Sequence, residues 1–220
     1  MGIASYSGAS SVIKPGVVTS STRPSSPFVG QLIYETDTAR LAAYNGSAWV
    51  NQNPGLVCVK AETAFTTVAS ITVDNVFTSS YTDYILKFRA TASAANAMYF
   101  QLRVGGVTNT TNWVWQEFSA NSTTVAGSSA SAQSQFRAGN FESDFTGASN
   151  QINVYSPAEA VVTTVYSDNI YTSGTSATNI VYWQGAGYNN NATAFDGFAL
   201  SVSAGTISGV YSVYGYSKAV

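Results

Sequence analysis

The sequence predicts an all-β protein: an N-terminal extended arm and β-hairpin unit, followed by an antiparallel β-sandwich of jelly-roll-like type. Three observations predict it. From Leu56 onward, short runs rich in β-branched and aromatic residues are separated by turn signals, the pattern of sandwiches and barrels. Several runs alternate with period two: Tyr84, Leu86 and Phe88 oppose Lys87 and Arg89, and Met98, Phe100, Leu102 and Val104 oppose Gln101 and Arg103. No window sustains apolar residues at i, i+3, i+4 and i+7, and the abundant Ser, Thr, Val and Gly disfavour helix.

Residues 1–21 read as the arm. They are rich in Ser, Gly and Ala, with Pro15-Gly16 marking a turn and Val17-Val18 a short extended piece. Ile3, Tyr6, Val12 and Ile13 are more apolar residues than a linker needs, which suggests a segment that orders by adding a strand to a neighbouring subunit. The first 16 residues lack the basic start and apolar run of a secretory signal, and Tyr6 breaks the myristoylation pattern after Gly2.

Residues 22–53 read as a hairpin anchoring module. Pro24 and Pro27 fix their φ angles and push the preceding residues toward extended geometry, so the entry is stiff, and Gly30 permits a bend. Two linked hairpins follow, one spanning residues 31–44 and turning over Thr36-Asp37-Thr38, the other spanning 41–50 and turning over Asn45-Gly46. The Asn-Gly pair predicts a type I′ turn, because both central residues then need positive φ. An Asx-turn accounts for Asp37. Three short strands with one exposed apolar face need a partner surface.

Arg23, Pro24, Pro27, Gly30, Ile33, Tyr34, Thr36, Asp37, Thr38, Tyr44, Asn45, Gly46 and Trp49 together resemble a module that recurs in virion structural proteins of tailed bacteriophages: tail fibres, minor tail proteins and head-decoration proteins. The C-terminal residues Gly205-Thr206-Ile207-Ser208-Gly209, followed by Val213-Tyr214-Gly215-Tyr216, resemble the way many such proteins end. The resemblance implies a non-enzymatic protein of the virion surface, assembled in the host cytoplasm, a homotrimer whose partners are the major capsid protein or other virion proteins. On it, Arg23, Pro24, Pro27, Tyr34, Asp37, Tyr44 and Trp49 would anchor the chain. A capsid decoration or cement protein is the first expectation, and a tail fibre or receptor-binding protein contacting host glycans is the alternative.

The body is expected over residues 54–220, after the polar turn cluster that ends in Pro54-Gly55. Residues 119–134, a low-complexity run of Ser, Ala, Thr and Gly, read as a long surface loop; residues 173–178 and the Asn189-Asn190-Asn191 cluster read as two more. Only 9% of residues are charged, so solubility rests on hydroxyls and amides, or partners cover much of the surface. A net charge of −2 gives no basic footprint for nucleic acid, and no apolar run is long enough for a membrane helix.

Chemistry is sparse. There is no histidine, and Cys58, the single cysteine, sits in the apolar run Leu56-Val57-Cys58-Val59, which predicts a buried structural thiol. No metal site or cofactor is expected. Glu35 with Asp37, and Glu142 with Asp144, place two carboxyls at i, i+2, but beside turn residues, where solvated acids are the expected reading rather than glycosidase chemistry. Trp113, Trp115, Trp183 and Tyr188 are candidate glycan contacts: exposed, they would stack on sugar rings, whereas buried, they are core or subunit interface, the commoner state for large aromatics.

Overall fold

The computed structural model describes residues 15–52, 55–142, 148–172 and 180–217, and these divide into two compact units at residues 54 and 55. Among the described residues there are strands and turns but no helix, as the sequence predicts.

The small unit is one four-stranded sheet of β1 (Gly16–Val18), β2 (Leu32–Glu35), β3 (Arg40–Tyr44) and β4 (Trp49–Asn51), in that order. β1 pairs parallel with β2, Val17 beside Tyr34, and the other pairs are the two expected antiparallel hairpins. The described end of the arm is therefore a strand of its own chain's sheet; residues 1–14 lie outside the described residues. The connection from β1 to β2 bends at Gly30 (φ 85°), where the Gln31 amide donates to Phe28 O at 3.0 Å.

The second hairpin does not turn as the sequence predicts. Tyr44 pairs with Trp49 across a four-residue loop, and Asn45 is not at positive φ, although Gly46 is (104°). Asn45 Oδ1 accepts from the amides of Ser47 and Ala48 at 2.9 and 2.8 Å, so the side chain does the work that a tight turn's backbone would do. The type I′ geometry is found instead at Gly105-Gly106, both at positive φ.

The large unit is a two-sheet antiparallel body. Its strands are β5 (Leu56–Val68), β6 (Ser70–Val73), β7 (Tyr81–Ala92), β8 (Asn96–Val104), β9 (Val107–Thr108), β10 (Trp113–Asn121) and β11 (Thr124–Gln133), then β12 (Phe136–Phe141), β13 (Ala148–Tyr155), β14 (Thr163–Thr172), β15 (Ile180–Asn189), β16 (Gly197–Val202) and β17 (Ile207–Ser217). An eight-stranded sheet runs β11-β10-β15-β14-β13-β7-β17-β5; the smaller runs β12-β8-β16-β6, with β9 paired to β8. The chain passes back and forth between the two sheets, among other places between β5 and β6, β7 and β8, and β16 and β17. Paired hydrogen bonds hold one such corner, Ser93 N to Thr206 O and Thr206 N to Ser93 Oγ, both at 2.9 Å.

The core lies between the sheets. Tyr84, Leu86 and Phe88 of β7 meet Met98, Phe100 and Leu102 of β8, with Phe198, Leu200, Tyr211 and Val213 completing the layer. The alternation read from the sequence is thus the pattern of burial, with two exceptions. Val104 is exposed at the β8–β9 hairpin. Arg103, expected on a wet face, is buried, with its guanidinium 2.7 Å from Asp74 Oδ1 and bonded to Thr108 Oγ1 and Gly106 O.

Residues 119–134 are not a loop: they form the end of β10, a two-residue turn and β11, paired from Asn121–Thr124 to Trp113–Gln133. β11 is an edge strand with almost every side chain exposed, so nothing apolar marks it in the sequence. Cys58 is exposed, which corrects the buried thiol expected: β5 is the opposite edge, and its alternate side chains, Leu56 and Cys58 among them, turn outward.

Candidate functional site

Two surfaces gather the residues singled out by the sequence. In the small unit, strand alternation puts Ile33, Glu35 and Ala42 on a buried face and Val17, Leu32, Tyr34, Leu41, Ala43 and Val50 on the other. Within the described strands that second face holds no charged or amide side chain, Gln52 following just beyond the end of β4, yet Val17 is 69% exposed and Tyr34 and Val50 are exposed too. Phe28 and Val29, in the bend before β2, are exposed as well.

Most of the expected anchoring residues brace this sheet rather than project from it. Glu35 is only 1% exposed; Arg23 Nε lies 2.5 Å from its Oε1 and Thr38 Oγ1 donates to Oε2 at 2.8 Å. The Arg23 guanidinium is the main reason that the Glu35 carboxyl is held below its ordinary 4.5, against the opposing effect of burial. Asp37 accepts from the Ser20 amide at 2.9 Å and from the Ser20 hydroxyl, bonds that hold it below 3.8. The acid read as an Asx-turn therefore clips the end of β1 to the β2–β3 turn. Tyr44 and Trp49 are a ring pair with centroids 5.5 Å apart, and Tyr44 OH donates to Gly46 O. Pro24 and Pro27 are half-buried in the connection, so of the seven residues Tyr34 is the one that the sheet turns outward.

Glu35 and Asp37 do not form a pair: one closes β2 on the buried face, the other sits in the turn with its own partner. Asp144 lies outside the described residues. Among the described residues no group of three or more His, Cys, Asp or Glu is placed to hold a metal ion.

The second surface is the outer face of the eight-stranded sheet. Of the candidate glycan contacts, Trp113 (0% exposed) and Trp183 (1%) are core, and Trp115 packs half-buried against it, which corrects their reading as contacts. The reason is parity. Odd positions of β10 and β15 point inward, where Gly185 leaves room for the Trp183 indole: a Cβ there would stand 2.3 Å from its Cη2. Even positions point outward, and Tyr188 and Tyr182 are both exposed.

Beside them a polar row crosses the sheet in register: Gln184, Asp168, Gln151, Lys87 and Ser212. Asp168 Oδ1 accepts from Tyr166 OH (3.1 Å), Tyr182 OH (2.9 Å) and Gln184 Nε2 (2.8 Å). Burial first, then the Asp168 bond and charge, push the Tyr182 hydroxyl up to about 12. Sequence reasoning missed this row because its residues come from five strands; the alternation within β14, where Tyr166, Asp168 and Ile170 share the face opposite buried Val165, Ser167 and Asn169, was the available signal.

Comparison with protein-family models, with curated proteins and with solved structures yields no match.

Proposed function

We propose that the chain is a non-enzymatic structural protein of a tailed-phage virion, a homotrimeric capsid decoration or cement protein that binds the shell through its N-terminal unit. The observation that supports it is the apolar outer face that the strands of the four-stranded sheet present, with Val17, Tyr34 and Val50 exposed on it. A cement protein needs such a face: buried across neighbouring shell subunits, it must be re-exposed before the shell can open. The virion setting and the trimer come from the resemblance of residues 22–50 and of the C-terminal residues.

Replacing Tyr34 and Val50 together by Ser tests the anchoring. Both point away from the buried side of the sheet, so the small unit stays folded, and attachment to shells lacking the protein falls roughly a hundredfold, at about 1.4 kcal/mol for each side chain. Wild-type attachment by this folded variant refutes anchoring through the face.

A tail fibre or receptor-binding protein touching host glycans is the second reading, and one observation favours it: Tyr182 and Tyr188 stand exposed on the large sheet beside hydrogen-bonding side chains.

A further inference from the structure

Exposed apolar side chains in the large unit concentrate on one surface. Phe118, Tyr155, Ile170, Tyr182 and Tyr188 all lie on the outer face of the eight-stranded sheet. That face has two adjoining hollows, of about 390 Å3 over Lys87, Gln151, Asp168 and Tyr182 and of about 710 Å3 over Gln116, Tyr155, Tyr166 and Tyr188. Both fall in the range of small-molecule sites, roughly 300–1,000 Å3.

We propose that this face binds a neutral oligosaccharide, laid along β15 with Tyr182, Tyr166 and Tyr188 as ring platforms and Asp168, Gln184 and Gln151 as hydrogen-bonding partners. The inference deepens the receptor-binding reading and rests on it for its biological setting.

Charge balance selects the ligand. The first hollow is lined by two acids, Glu62 and Asp168, and two bases, Lys87 and Arg89, while the second has no charged residue in its lining. Neither favours a polyanion or a polycation. What the face does offer is flat ring surface interleaved with amide, hydroxyl and carboxylate groups, the complement of a molecule with apolar C–H faces and a hydroxyl edge.

Preorganisation is also present. Tyr166 and Tyr182 both spend their hydroxyl protons on Asp168 Oδ1, and Phe118 meets the Tyr182 ring edge-on at 6.4 Å, so both rings are held before any ligand arrives. Tyr182 and Tyr188, six residues apart on one strand, are about 20 Å apart, a span that several sugar rings fill and one does not.

The test uses the full chain and a panel of neutral hexasaccharides (cello-, malto-, manno- and chitohexaose), with binding followed by calorimetry. At least one should bind saturably, more tightly than its own disaccharide. Tyr188→Ala should weaken that binding roughly tenfold, and Tyr182→Phe, which keeps the ring but frees Asp168, less than Tyr182→Ala does. Near-UV circular dichroism of each variant reports that the core is intact. Binding by none of the panel up to about 10 mM, or binding indifferent to all three substitutions, overturns the proposal. So does a native oligomer that dissociates on Tyr182→Glu, which would put a second copy on this face. Because the assay uses isolated protein, its failure leaves the virion position to be read separately.

Discussion

Arg23 and Glu35 place an ion pair on the buried face of the small unit's sheet, beside its apolar side chains. Among the described residues Ile33 and Ala42 are its buried apolar side chains, and the buried carboxylate beside them depends on one guanidinium and one hydroxyl. Arg23→Ala leaves Glu35 with Thr38 alone. With Arg23 about one-third exposed, the cost is about 2 kcal/mol rather than that of a fully buried pair, and amide exchange in β2 and β3 should quicken about thirtyfold. Unchanged exchange would show that the pair contributes nothing. Acid should act in the same direction. Glu35 and Asp37 are held below 4.5 and 3.8, so as pH falls through these values the unfolded segment takes up protons before the folded one does. The stabilisation is complete above about pH 4.5 and is lost below it. These roles were only partly legible: the sequence marked Arg23 and Asp37 as special but not their partners, Glu35 twelve residues on and Ser20 seventeen residues back.

Among the elements, legibility followed the presence of an apolar face. β7 and β8 alternate, pack on both sheets' inner layer and were predicted from the sequence. β11 and β12 were not, for opposite reasons. β11 has no buried face at all. β12 docks against inward-pointing polar residues: it is bulged between Arg137 and Gly139, and the Ala138 carbonyl accepts from Asn150 Nδ2 at 2.8 Å and from Ser167 Oγ. Asn169 Oδ1 takes the next amide, that of Asn140. This buried polar seam adds to the core packing of Phe136 and Phe141 in β12, and the bulge between those two rings breaks the strict alternation that an apolar-in, polar-out rule needs. Asn150→Ala, which withdraws a buried donor, should cost about 2 kcal/mol in urea unfolding, whereas Ser129→Ala on exposed β11 should stay within about 0.5 kcal/mol. Equal effects would mean that β12 is held by something other than the seam. Aromatic roles in β10 and β15 turned on a parity that the sequence leaves open: a one-residue shift exchanges Trp183 for Tyr182 as the outward ring.

At the scale of the whole molecule, the described residues divide into two compact units. A four-stranded unit with an apolar outer face precedes a body whose core is fully enclosed between two sheets. Charged residues at 9% leave polar character to tyrosines, amides and hydroxyls. The all-β class and the boundary near Pro54 were legible because turn clusters and alternation are local signals; the order of strands in each sheet was not, since the chain's repeated crossings between the two sheets set it. The direct test of the proposed role is the copy number of this chain in purified particles, relative to the major shell subunit, by quantitative mass spectrometry. A cement protein predicts about one copy per shell subunit. A few trimers per particle would contradict shell cementing in favour of a fibre, and absence from the particle would contradict the virion role itself.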